Sequence, residues 1–204
     1  MIIRAIKQNL LEGLSHVMRA ISGKNTNPIF SCIHLIAKDG KLTMITTDNE
    51  IRIETKIPVA IEAEGETVIF AKNFYDLVRR LPDVPITMSS VSKDGKDKTT
   101  ITYNDAEVVM HGFPGQNFPG MEEIKAEPSF QISAAAFHKL IKHTSFTVSP
   151  DAVRDIFRGL FFHLKGHELH VVGTDSYRLT ILDEKVDNLL GEDNEAIIPI
   201  RALN

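Results

Sequence analysis

The chain repeats itself. Shifted by 127 residues, FSCIHLIAKDGKLTMITTD (Phe30 to Asp48) lies without a gap on FRGLFFHLKGHELHVVGTD (Phe157 to Asp175). Phe, Lys, Leu, Thr and Asp are identical and nearly every apolar position is kept, so one supersecondary unit accounts for both stretches. Each block alternates like paired strands around a turn sequence, KDGK in the first and KGHE in the second. Each also follows a short strand and a helix. IIRAI leads into Gln8 to Ala20, with Leu10, Leu11, Leu14, Val17, Met18 and Ile21 at helical spacing. SFQIS leads into Ala134 to His143, with Phe137, Leu140 and Ile141 on one face and Ser133 as N-cap.

A finer repeat lies inside the first stretch. Strand, helix and three strands cover residues 1–58, and the same order recurs from Glu66 to Phe113 in ETVIFA, NFYDLVRRL, PITMSS, KTTITYN and AEVVMHGF. Residues 128–190 read as a third βαβββ copy, and EAIIPI followed by RALN reads as the start of a fourth. The fold class is therefore α+β, with helices on one face of antiparallel sheets. GFPGQNFPGMEEIKAEPS, rich in proline and glycine, reads as a linker, giving domains at 1–120 and 121–204. The second ends inside a βαβββ unit, which predicts a fragment of a longer protein; the alternative is a shorter second domain closed by its last strand.

Composition limits the function classes. With 43% hydrophobic residues there is material for real cores, and no apolar run approaches a membrane span. The N-terminus MIIRAIKQNLLEGL lacks the apolar core of a signal peptide. The single cysteine, Cys32, sits in an apolar stretch and reads as a buried free thiol, which points to a cytosolic protein. The net charge of −4 hides a segregation. Lys7, Arg19 and Lys24 against Glu12, Lys72, Arg79 and Arg80 against Asp76, and Lys139 and Lys142 alone give each helical segment +2, so the rest of the chain carries −10. Basic helices on an acidic framework suit a polyanion on one face, while ordinary solvated helix faces are the alternative. No aromatic residues interleave with these cations, so sequence-blind backbone contact with duplex fits better than stacking on single strands.

Catalytic patterns are missing: there is no P-loop, no GxGxxG after a strand, no HExxH and no CxxC. His163, His167 and His170 in HLKGHELH span strand, turn and strand and read as surface or turn residues, not metal ligands. The repeated Thr47-Asp48 and Thr174-Asp175 read as turn devices whose carboxylates accept backbone N–H groups, not as a catalytic pair. No catalytic residue, metal or cofactor is expected.

The whole chain resembles the bacterial DNA polymerase III β subunit, the sliding clamp family. The resemblance is carried by SGKNTNPIFSCIHL, TDNEIRIE, FAKNFYDLVRRLP, GFPGQNFP, DAVRDIFRGLFF, GTDSYRLT and AIIPIRALN. It implies the DNA clamp fold: three similar domains per subunit, two subunits joined head to tail as a ring around duplex DNA, helices lining the hole. This chain matches the first domain and part of the second, and the third is absent. By resemblance Lys24, Lys72, Arg79, Arg80 and Arg201 face the channel, and the charge segregation adds Arg19 and Lys142. The family's other DNA loop corresponds to TVSPDA, which has no basic or amide residue here. Arg154, Phe157, Thr174, Ser176, Tyr177, Arg178 and Leu179 match one wall of a pocket for client peptides, with core packing the alternative for Phe157 and Leu179. Val108 and Met110 match the surface that meets the other subunit, or else are core positions of a last strand. The implied role is a non-catalytic processivity factor in DNA replication, cytoplasmic and nucleoid-associated. Its partners would be duplex DNA, the polymerase III catalytic subunit, the clamp loader and other clamp-binding-motif proteins. A repeat scaffold that binds proteins without DNA is the competing reading.

Overall fold

The computed structural model describes residues 1–21, 27–120, 130–150, 152–189 and 191–203. The chain divides into two compact units, Met1–Met121 and Glu122–Asn204.

In the first unit, β1 (Ile2–Ile6) runs into α1 (Lys7–Val17), and β2 (Cys32–Lys38), β3 (Lys41–Thr47) and β4 (Arg52–Pro58) form an antiparallel meander. A short β5 (Ala60–Ala63), which sequence patterning does not predict, leads to the second half: β6 (Gly65–Phe70), α2 (Ala71–Arg80), β7 (Pro85–Lys93), β8 (Lys96–Tyr103) and β9 (Ala106–Phe113). All nine strands join one sheet in the order β4-β3-β2-β6-β9-β8-β7-β1-β5. Each half therefore gives its first strand to the other. β1 pairs with β7, Ile3 opposite Met88, while β6 pairs with β2, Ile69 opposite Ile33.

Both helices start directly from a strand, at Ile6 and Phe70, without a side-chain cap. Their apolar stripes close on one core. Leu10, Leu14 and Val17 of α1 and Phe74 and Val78 of α2 bury against Ile3, Leu35, Met44, Ile69, Met88 and Ile101. That tertiary burial, about 1.5–3 kcal/mol per large apolar side chain, replaces the missing caps as the source of helix stability. The first helix ends earlier than its periodicity predicts: after Val17 the chain tightens into a 3₁₀ turn, Met18–Ala20. The Lys7 ammonium donates to the Leu81 carbonyl, which ties the start of α1 to the end of α2.

A smaller cluster lies elsewhere in this unit: Cys32, Ile45, Val68 and Phe118, with Ile29, Ile36 and Phe113 against it. Burial pushes the Cys32 thiol up to about 11, so it stays protonated and inert. This cluster corrects the linker reading. Gly112 and Phe113 belong to β9, Gly115–Asn117 form a 3₁₀ turn, and Phe118 packs over His34 with ring centroids 5.1 Å apart. At Gly115 a Cβ would fall 2.2 Å from the Glu66 carboxyl carbon, so a larger residue there displaces the Glu66 side chain. Residues 121–129 lie outside the described residues.

The second unit opens with β10 (Phe130–Gln131) and α3 (Ala134–Thr144), capped as expected by Ser133, whose Oγ accepts from Ala136 N at 3.2 Å. Then follow β11 (Gly159–Lys165), β12 (Glu168–Thr174), β13 (Leu179–Lys185), β14 (Asp187–Asn188), β15 (Asn194–Pro199) and α4 (Ile200–Leu203). β10 pairs with β14, and the main sheet runs β13-β12-β11-β15. The β11–β15 pair repeats the β2–β6 pair of the first unit. Leu140 of α3 packs on Leu160, Phe162, Leu169 and Val171, so the other face of this sheet carries Phe161, His163, His170 and Val172. The expected α+β architecture of repeated βαβββ units is thus the one observed.

Candidate functional site

The repeated Thr-Asp phrase builds the same turn twice. Asp48 Oδ1 accepts from Glu50 N at 3.1 Å and Ile51 N at 2.9 Å, and Thr47 Oγ1 accepts from Asn49 N at 3.1 Å. In the second copy Asp175 Oδ1 accepts from Tyr177 N and Arg178 N, both at 3.0 Å, and Thr174 Oγ1 accepts from Ser176 N at 3.2 Å. The residue after each Asp is left-handed: φ is 78° at Asn49 and 74° at Ser176. The side-chain oxygens satisfy donors that the sharp turn strips from the sheet ladder.

What surrounds the second turn differs. Tyr177 is 96% exposed and Leu179 59%, so the core alternative for Leu179 fails. Arg178 Nε donates to Asp175 Oδ2 at 3.0 Å, and its guanidinium lies over the Phe146 ring at 5.7 Å. Asp175 is pulled in two directions. Slight desolvation pushes its carboxyl up, but the amides of Tyr177 and Arg178 and the guanidinium of Arg178 win and hold it below the ordinary carboxylate range.

Thr174, Ser176, Tyr177, Arg178 and Leu179 therefore form one hydrogen-bonded, solvent-facing turn at the mouth of β12 and β13. Arg154 and Phe157 belong to the loop that enters β11 at the same end of the sheet. That loop is self-supporting: Arg158 donates to the Ala152 carbonyl at 2.7 Å and pairs with Asp155 at 3.1 Å. Arg154 is exposed and Phe157 half-buried. The structure adds Phe146 and Ile156, 58% and 55% exposed, which sequence reading passed over. Their signal was a bulky apolar residue set in a polar loop.

The basic residues fall on helix surfaces. Lys72, Arg79 and Arg80 are exposed on α2, with Arg79 held 3.5 Å from Asp76 and its guanidinium 6.0 Å from the Tyr75 ring. Arg19 is exposed on the 3₁₀ turn after α1. In the second unit Lys142 ends α3 and Arg201 lies in α4, both exposed. Cations in the last turns of α2 and α3 also suit the negative end of each helix. Lys24 lies outside the described residues, as does Asp151 of the TVSPDA loop.

Val108 and Met110 lie on β9, whose side toward β6 is paired only through Gly112 and Phe113. Both are half-buried, and with Phe70, Asn73 and Leu77 they line a shallow groove beside an unpaired strand edge. Among the described residues no three His, Cys, Asp or Glu side chains are grouped to hold a metal ion, and no helix is long and apolar enough to cross a membrane.

Tandem βαβββ units, a turn that exposes Tyr177 and Leu179, and basic helix faces define a class of duplicated α+β binding proteins. Residues 1–122 match the family model of the DNA polymerase III beta subunit, N-terminal domain, and residues 131–204 match that of its central domain. The chain belongs to the DNA polymerase III beta subunit family. It is 31% identical over 185 residues to the beta sliding clamp of Rickettsia bellii, covering 89% of this chain and 48% of the relative. The crystal structure of the Bacillus subtilis DNA polymerase sliding clamp superposes with a TM-score of 0.90 at 28% identity, over all of this chain and 55% of that one. The Helicobacter pylori beta clamp bound to a DNA ligase peptide superposes at 0.86 with 25% identity, over all of this chain and 57% of that one. The chain thus spans about half the length of the curated relatives it matches.

Proposed function

We propose that this chain supplies the first domain (1–120) and part of the second (121–204) of a sliding clamp. The clamp is a non-catalytic ring that encircles duplex DNA in the cytoplasm and tethers the replicative polymerase and other clients. The observation that carries this reading is the conjunction of a match to both family domains with a solvent-facing turn at Thr174–Leu179 that exposes Tyr177 and Leu179. The Helicobacter pylori relative holds a DNA ligase peptide. By likeness, Arg154, Phe157, Phe146 and the turn residues form one wall of a client-peptide pocket, with Arg178 held in place by Asp175. Ser176 and Tyr177 tune its affinity. The unpaired β9 edge at Val108 and Met110 supports a subunit contact in a homodimeric ring.

Lys24, Arg19, Lys72, Arg79, Arg80, Lys142 and Arg201 would meet phosphates from the channel wall. Such contacts are interchangeable along the duplex and weaken with salt, which lets a ring slide. Tethering then raises the polymerase's effective concentration at the primer end. The test is duplex binding by the ring-forming protein at low salt. Arg79→Glu with Arg80→Glu is expected to abolish binding to linear duplex and to flatten the salt dependence of what remains. Unchanged affinity and slope would remove these arginines from the channel wall.

A further inference from the structure

Four strands of the second unit carry a polar row across the sheet face opposite α3. His163 pairs with His170, His170 with Asp183, and His163 with Glu195. All four point away from the core, since their strand neighbours Phe162, Leu164, Leu169, Val171 and Leu182 pack beneath α3. The two imidazole centroids are 5.8 Å apart with their planes at 44°. His170 Nδ1 and Asp183 Oδ1 are 2.7 Å apart, and the His170 side chain is 28% exposed. His163 makes ring contacts with Phe161 and His170 and no hydrogen bond among the described residues.

We propose that His163 and His170 form a two-imidazole site for a borderline divalent transition metal of the zinc, nickel or copper class. Three features point there together. The strand register fixes both rings side by side, so little ordering is left to metal binding. The Asp183 carboxylate accepts a hydrogen bond from the Nδ1–H of His170, which sets the tautomer and leaves the Nε2 lone pair for a cation. That is the carboxylate–histidine–metal arrangement that recurs around zinc. Both nitrogens are soft enough to favour these metals over magnesium or calcium, which prefer oxygen shells. His167, the third histidine of the motif, stays in the hairpin turn with its ring against the Val186 carbonyl and takes no part. Water completes the shell, since no third His, Cys, Asp or Glu side chain among the described residues is grouped with the pair to hold a metal ion. An open site of this kind binds more weakly than a closed four-ligand zinc site. A bound ion would cross-brace β11 to β12.

The test uses the whole chain without a histidine tag, titrated with zinc sulfate and with nickel chloride by calorimetry, and heated with and without zinc. One equivalent is expected to bind, with a rise in melting temperature that magnesium chloride does not give. His163→Asn and His170→Asn should each remove that equivalent and the melting shift, while His167→Asn and the pair His138→Asn with His143→Asn keep both. Asp183→Asn should weaken binding about tenfold, the scale of losing a ligand's orienting partner. Copper(II) electron paramagnetic resonance supplies a readout independent of stability: coupling to two imidazole nitrogens in the parent chain, lost in the double variant. Binding that survives His163→Asn with His170→Asn, or no binding by the folded parent chain, overturns the site.

Discussion

The turns at Thr47–Ile51 and Thr174–Arg178 have the same hydrogen bonds and the same left-handed residue, yet they sit in opposite environments. In the first, Thr47, Asp48 and Ile51 are each 9% exposed or less, and only the tip, Asn49 and Glu50, reaches the surface. The second stands in water, with Tyr177 almost fully exposed and Ser176 and Arg178 on the surface. The backbone circuit is set by Thr-Asp and owes nothing to burial. The fourth residue decides the use. Ile51 buries the end of the first copy, whereas Arg178 folds back onto Asp175 and Phe146 and turns the second into a presented surface.

A second pair of equivalents teaches the same lesson. Val17 and Thr144 end equivalent helices, and the carbonyl of each is capped by a threonine hydroxyl. Thr46 reaches across from β3 to Val17, while Thr147 reaches Thr144 from the next turn of its own chain. The position equivalent to Thr46 is Gly173, where a Cβ would stand 2.5 Å from Thr147 Oγ1 and 2.6 Å from the Thr144 carbonyl oxygen. Each copy holds one capping threonine and has room for only one.

The strongest way to break the comparison is Asp48→Ala. It leaves the buried Ile51 amide and the part-buried Glu50 amide without their acceptor and should cost about 2–3 kcal/mol in urea unfolding. Asp175→Ala, whose amides can turn to water, should cost far less stability but loosen Arg178 and weaken client-peptide binding. Equal stability losses would mean the two turns are held alike. Next is Gly173→Ala, expected to cost about 1–3 kcal/mol through overpacking against a backbone oxygen. Adding Thr147→Ala should recover only part, since the carbonyl remains.

A smaller effect separates the two sheet faces. His34 is the equivalent of Phe161, and it alone lies under Phe118. Burial lowers the His34 pKa, and the hydrogen bond its ring makes to the Glu66 carboxylate offsets this only in part. The unfolded chain therefore takes up a proton near the ordinary histidine pKa before the folded one does. The stability this confers is complete above that value and falls as the pH drops toward the lower folded pKa. Denaturation midpoints at mildly acid and neutral pH should differ, and His34→Phe should remove the difference. Smallest of all is Ser176→Gly. Relief of a left-handed conformation at an L-residue outweighs glycine's extra unfolded freedom by about 0.5 kcal/mol, read as a slight rise in melting temperature.

Much of this was legible in the sequence, for physical reasons. The 127-residue repeat, the strand–helix order and the Thr-Asp device all rest on local periodicity and turn chemistry. Phe118 was not legible: a phenylalanine amid proline and glycine carries no signal that it will cover His34. β5 was missed because AIEA is too short to carry a period. Core packing stayed open as an alternative for Leu179, because alternation along a strand does not say which face a neighbour covers. The meeting of His163 with His170 depended on register, and His167 between them concealed it. The exchange of β1 and β6 was invisible for the deepest reason, that strand partners far apart in sequence leave no local mark.

That exchange makes the first unit two interlocked peptides joined by one exposed residue, Glu64, between β5 and β6. Neither half owns a complete sheet, because each keeps the other's first strand in its own meander. Two separately made segments, divided there, would have every reason to find each other and none to fold alone. The junction is thus a natural place to split the protein into a pair of complementing fragments, whose reunion reports that two attached molecules have met.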